Sequence, residues 1–215
     1  MRPPVFHVNV DSIGDARGNK TYILLPGNKD TKAADLQFRE YAAYVNRALQ
    51  EKGFTPAETF QKANVGIFLG YGIGEPQEHQ YVYSLPIWGQ TGVLSSYRTG
   101  AFSSYGYCGT TIYTPTYGVI GSTTHSSSYT TYSRFISLDA VDLDEYTKTE
   151  KEVQLWKTTV TSSGSSDDLR RVFPILIAAS KDYIATNTGK KVKVKLLEED
   201  ARVMAIKGTG QEQKK

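Results

Sequence analysis

Between Glu78 and Arg134 the chain carries one full charge, Arg98, in a stretch crowded with tyrosine, serine, threonine and glycine. Its densest part reads SSYRTGAFSSYGYCGTTIYTPTYGVIGSTTHSSSYTTYS. This run limits what the chain can fold into. Serine, threonine and glycine bond locally and turn readily, so they build no packed core. Tyrosine adds a large apolar ring with a polar tip, and it loses little entropy when held in an interface. The segment therefore reads as a contact surface set into a domain whose core must come from the sequence on either side.

That flanking sequence has the charge and patterning of an ordinary α/β domain. At 215 residues the chain suits a single domain, 1–215, with 94–133 as an insertion or extended loop and 208–215 as a polar tail. A net charge of +3 is too small and too evenly spread to point to nucleic acid. The late cluster Lys190, Lys191, Lys193 and Lys195 alternates with Val192, Val194 and Leu196, as on the wet face of a strand. No apolar run is long enough for a transmembrane helix. The start MRPPVFHVNV has no apolar core of a signal peptide.

Period-2 and period-3.6 patterns divide the rest. Val5–Val10 and Thr21–Leu25 read as strands, the second closed by the turn signal Pro26-Gly27-Asn28. Asp35–Lys52 carries a helical stripe of Leu36, Phe38, Tyr41, Ala42, Val45, Ala48 and Leu49, with Thr31 or Asp30 as cap and Gly53 at the left-handed end. Ala63–Tyr71 reads as a strand buried on both faces. Gln80–Leu85 and Pro86–Val93 read as a strand and its turn, and short hairpins are expected around Thr110–Tyr113 and Tyr129–Tyr132. Arg134–Leu143 alternates: Phe135, Ser137, Asp139 and Val141 on one face, Ile136, Leu138, Ala140 and Asp142 on the other. Val153–Thr161 pairs back on it. Ser165–Ser166 cap a second helix that contains Pro174, which predicts a kink or a late start. Lys191–Leu197 is the last clear strand, and Val203–Ile206 reads as a short edge strand. The plan is α+β: a two-layer sandwich, a mixed sheet with two helices on one face and a long Tyr/Ser/Thr/Gly-rich insertion.

The motifs that could carry chemistry each have a plainer reading. Gly70, Gly72 and Gly74 in GYGIGEP follow a strand, but a dinucleotide loop needs a helix next to bind pyrophosphate, and strand-like residues follow. Turn glycines or a bulge account for them. There is no Walker A sequence and no G-x-S-x-G elbow. The one cysteine, Cys108, cannot form an internal disulfide. A thiol enzyme using Cys108, His125 and Asp139 is the minor alternative, with no helix N-terminus expected to activate the thiol. Glu75, Glu78 and His79 could gather around an ion, but only two of them could easily face one way, so they read as a solvated polar turn. Asp139, Asp142, Asp144 and Glu145 lack calcium-loop spacing. No cofactor and no catalytic residues are expected.

What remains is recognition. Trp156 sits in a clear strand and reads as core, whereas Trp88, in LPIWGQTG, stands at the mouth of the Tyr-rich run. Interface anchors favour Trp and Tyr, so the candidate partner-binding set is Trp88, Tyr97, Tyr105, Tyr107, Tyr113, Tyr117, Tyr129 and Tyr132. Tyr/Ser/Gly tracts also self-associate, which makes a self-assembling structural protein the other alternative.

Several segments together resemble an uncharacterised family of bacterial cell-envelope lipoproteins, domain of unknown function 4136. They are TYILLPGNKD, AYVNRALQEKGFTPAETFQKANVGIFLGYGIG, EVQLWKTTVTSSGSSDDLRRVFPILIAAS and KVKVKLLEED. The resemblance covers most of the chain outside the Tyr-rich segment. It implies a secreted precursor held by a lipidated cysteine, hence a periplasmic location, anchored to the outer membrane. No cysteine precedes Pro3, so the anchor would belong to the precursor, and a native start at Met1 would imply the cytoplasm instead. The family brings no activity. The expected partner is another envelope protein or a glycan, not nucleic acid, with a membrane touched only through the N-terminal anchor.

Overall fold

The computed structural model describes residues 4–16, 18, 20–103 and 106–208, with the side chains of residues 96–113 left undescribed. The chain divides into two compact units, Glu78–Tyr129 on its own and the remainder as the other.

In the larger unit β1 (Val5–Gly14) is followed by β2 (Thr21–Pro26), α1 (Leu36–Glu51), a two-residue β3 (Thr55–Pro56) and β4 (Val65–Ile73). Two long strands come next, β5 (Gln77–Ser103) and β6 (Gly106–Asp142), then α2 (Leu143–Thr149), β7 (Gln154–Gly164), α3 (Leu169–Ser180), β8 (Val192–Leu197) and α4 (Ala201–Lys207). The sheet is open and mixed, in the order β3-β2-β4-β6-β7-β1-β8, with β5 paired to β6. β2 and β4 run parallel because α1 carries the chain back between them; β4–β6, β6–β7, β7–β1 and β1–β8 are antiparallel. This is the expected α+β plan.

Strand alternation decides which face is covered. Val8, Val10, Ile67, Leu69, Ile136, Leu138, Trp156 and Val160 point inward and are buried. Against them lie α1 and α3, which pack on each other and on α4. At the centre Tyr41 stacks on Phe173 at 3.9 Å, and Tyr71 meets both rings edge-on. Offset and edge-to-face aromatic contacts of this kind add to the area they bury. Trp156, 1% exposed, is core as expected. Lys193 and Lys195 face water from β8.

The structure corrects several expectations. Val203–Ile206 lies in a helix, not an edge strand: Val203 and Ile206 are buried three residues apart, and Asp200 caps the start by accepting from the Arg202 amide. Asp168, not Ser165–Ser166, caps α3, accepting from the Arg171 amide, and Pro174 lies within the helix. α1 starts after Asp35 rather than at Asp30 or Thr31. Gly53 has the left-handed φ of +80° expected after α1.

Gly70 and Gly72 are strand residues, not turn residues. A Cβ on Gly72 would lie 2.7 Å from the Phe135 ring, and one on Gly70 would meet Asn28 at 3.5 Å. Asn28 reaches across and forms both bonds to Tyr71, donating to its carbonyl and accepting from its amide. The glycines make room for a ring and a docked turn.

Candidate functional site

Residues 94–103 and 106–133, expected as an insertion or extended loop, are strand. β5 has 27 residues and β6 has 37, and the same Tyr/Ser/Thr/Gly run forms the end of the first and most of the second. At roughly 3.3 Å per residue β5 alone is about 90 Å of strand. Thr, Tyr, Val and Ile favour a pleated backbone, and pairing two such strands satisfies the amides that the short side chains would otherwise cap. The expected turn at Pro86–Val93 and the short hairpins at Thr110–Tyr113 and Tyr129–Tyr132 are absent: all lie inside continuous strands.

The cross-strand contacts fix the faces of this hairpin. Near its base His79 stacks on Tyr129 and Tyr83 on His125, with Tyr81 beside both Tyr83 and Tyr129. Ile87 lies over Gly121. Further along, a Cβ on Gly89 would strike Ile120, one on Gly118 would touch Thr91, and the Thr91 hydroxyl meets that of Thr116. The partner has moved by one residue between Ile87 and Gly89, which is what a β-bulge at Trp88 produces. From there the two faces differ. One carries Tyr81, Tyr83, Ile87, Val119 and Tyr117, together with His79, His125 and Gln90; the other carries Thr91, Thr116, Gly118, Ser122 and Thr124, interrupted by Val82, Val93 and Ile120. Sequence reasoning found the tyrosines but not the bulge or this division, because both depend on register.

Of the candidate binding residues, Trp88, Tyr117 and Tyr129 lie in the hairpin and are exposed, Trp88 by 68%. Tyr132 belongs instead to the main sheet, opposite Gly164 in the β6–β7 register, and is half-buried. Tyr97, Tyr105, Tyr107 and Tyr113 fall outside the described side chains, as does Cys108.

The groups weighed for catalysis are engaged elsewhere. His125 stacks on Tyr83. Asp139 accepts from Ser137 and Gln154 and forms an ion pair with Lys157 at 2.9 Å. Asp142 caps α2, and Asp144 accepts from Asn64. Among the described residues no three His, Cys, Asp or Glu side chains gather as for a metal. An open hollow of about 1070 Å³ lies on the uncovered sheet face over Phe68, Phe135, Ser137 and Asp139.

One buried group was not foreseen. Arg134, 2% exposed, has no carboxylate partner among the described residues; its guanidinium donates to the Ser166 carbonyl at 3.2 Å and reaches the Ser162 hydroxyl at 3.5 Å, while Nε bonds nothing. Burial alone pulls its pKa below the usual arginine value. A lone arginine inside the alternation Arg134-Phe135-Ile136 was the available signal: it shares the parity of the buried residues.

An open mixed α+β sheet with helices on one face and a long exposed hairpin defines the class. The chain belongs to the family described as Domain of unknown function (DUF4136), which it matches over residues 7–180. No curated protein matches it. Among solved structures it is similar to a PDZ domain protein from Parabacteroides distasonis ATCC 8503, at 13% identity and a TM-score of 0.37, over 91% of this chain and 39% of that one. The chain thus spans well under half the length of that protein.

Proposed function

We propose that this chain is the mature part of a non-enzymatic envelope lipoprotein, a binding or assembly-accessory module whose α+β body presents the hairpin as its contact surface. The observation that carries this reading is the uncovered hairpin. Leu94 is 76% exposed, and Tyr81, Tyr83, Leu85, Ile87 and Val119 are all exposed too. Contiguous apolar surface of this extent marks an interaction site, and an isolated two-stranded ribbon is at best marginally stable in water. The partner expected is another envelope protein or a glycan.

The test is a crosslinking pull-down from envelope extract with the intact chain and with a variant in which residues 78–129 are replaced by Asn-Gly. Capture by the intact chain alone is expected. Equal capture by both would move the site to the α+β body and overturn the proposal. The second reading, a self-assembling protein, is favoured by one observation: among the described residues β5 pairs with β6 and with no other strand, so its outer edge is open.

A further inference from the structure

We infer that the hairpin is a membrane-inserting element: copies of this chain pair their hairpins edge to edge into a closed β-barrel, with the aromatic face toward lipid and the hydroxyl face toward the lumen. This rests on the reading of the hairpin as the contact element and names what covers it.

No helix among the described residues is long and apolar enough to cross a membrane, which says nothing about strands. A membrane strand has its own signature, about ten residues alternating apolar and polar, with aromatic residues at both ends of the apolar band. The hairpin follows this signature on its aromatic face, which carries the rings and most of the large apolar side chains, while Val82, Val93 and Ile120 break the alternation on the other face. Tyr81, Tyr83 and Tyr129 stand at one level of the aromatic face. Ile87, Trp88 and Val119 follow, and Tyr117 stands at the far level with Leu94, which the change of parity at Trp88 brings to the same face. From Tyr83 to Leu94 is about 36 Å of strand, and a tilt of 45° brings that to about 25 Å, the height of the apolar band in such barrels.

Charge agrees with this placement. Glu78 precedes the band and Arg98 follows it, and nothing between carries a full charge. β6 is uncharged from Gly106 through Ser133. On the opposite face of β6 stand Thr116, Gly118, Ser122 and Thr124, small and mostly hydroxylic, as a water-filled lumen requires, with Ile120 among them. A soluble protein blunts an exposed edge with Lys, short strands or covering loops; this ribbon has none of these among its described residues. One hairpin cannot enter lipid alone, because its outer amides and carbonyls would be unpaired there. Closure with further copies is the arrangement that pairs them, and the lack of charge removes the repulsion that would keep like strands apart.

The test uses the purified full chain and dye-loaded vesicles of phosphatidylethanolamine and phosphatidylglycerol. The chain is expected to float with the vesicles and release dye. Val119→Arg, on the aromatic face at mid-band, should lower release at least tenfold. Ser122→Arg, on the other face, should keep release and shift the reversal potential of bilayer currents toward anions. Near-UV circular dichroism should be unchanged in both variants, since neither residue belongs to the α+β core. No release by the parent chain overturns the barrel, as does an equal response to the two variants. If vesicles stay intact while hairpin-dependent capture of an envelope protein persists, the barrel falls and the contact-surface reading stands. If both are lost, both fall.

Discussion

Tyr22 and Arg134 are both buried polar side chains, and they report different physics. The Tyr22 hydroxyl donates to Asn46 Oδ1 at 2.8 Å, and burial pushes its pKa from 10.0 up to about 12. Below pH 10 the folded and unfolded chains both keep this proton, and the group leaves stability unchanged. Between pH 10 and about 12 the unfolded chain releases a proton that the folded chain holds, so stability falls as pH rises, by about 3 kcal/mol once the folded value is passed. Tyr22→Phe should lose about 1 kcal/mol at neutral pH with the Asn46 bond and be free of that alkaline loss. Urea unfolding of both proteins at pH 8 and pH 11 should show the parent's advantage shrinking or reversing. Arg134 is the opposite case, a buried charge with two weak neutral acceptors and no counter-charge among the described residues. Removing such a charge in favour of an apolar side chain is commonly neutral or stabilising by about 1–4 kcal/mol. Arg134→Met should therefore hold or raise the urea midpoint, and a clear fall would show that the guanidinium has a favourable partner.

Element boundaries depend on a few backbone positions that packing leaves no freedom. Gly14 closes β1 with φ +83°, and a Cβ there would lie 2.3 Å from the Leu155 carbonyl oxygen on β7. Gly14→Ala meets a conformational penalty and a backbone clash together, and should lose about 2–4 kcal/mol. Gly189 has φ +64° with open space around it, so Gly189→Ala should lose about 1–2 kcal/mol. Denaturant midpoints of the two variants compare the two terms directly. The elements themselves were legible to different degrees. β6 between Arg134 and Asp142 could be read residue by residue, because one covered face imposes a strict alternation of Ile136, Leu138 and Ala140 with Phe135, Ser137 and Asp139. α1 could be read from its stripe and Gly53. α4 could not: two apolar residues three apart, Val203 and Ile206, fit one turn of helix as well as a short strand, and packing against α3 decides. The hairpin could not either. Ser, Thr and Gly carry turn preference in isolation, and strand pairing outweighs it only when a complementary run lies opposite. The candidate site was legible as composition, in Trp88, Tyr117 and Tyr129. Its geometry was not, because the bulge at Trp88 exists only in the pairing of two strands.

At the scale of the whole molecule, the question is whether the hairpin contributes to the fold that bears it. The main buried cluster runs from β1 through α4 and includes no residue between Tyr71 and Ile136. The smaller cluster under α2 draws on Ala63, Val141 and Leu143, again outside Glu78–Tyr129. In the larger unit the Gly74 amide donates to the Ser133 carbonyl at 2.7 Å, so β4 and β6 are already paired where the hairpin departs. Hydrophobic burial is the main term favouring folding, and among the described residues all of the buried core belongs to the larger unit. Replacing residues 78–129 with Asn-Gly, a dipeptide that closes antiparallel strands with a tight turn, should leave a protein that unfolds in one cooperative transition. Its urea midpoint should lie within the error of the parent's, while the m-value changes little because most of the removed residues whose burial is described are exposed already. A broad or markedly lowered transition would mean that the hairpin stabilises the α+β sheet, and the division between a folding unit and a contact element would not hold.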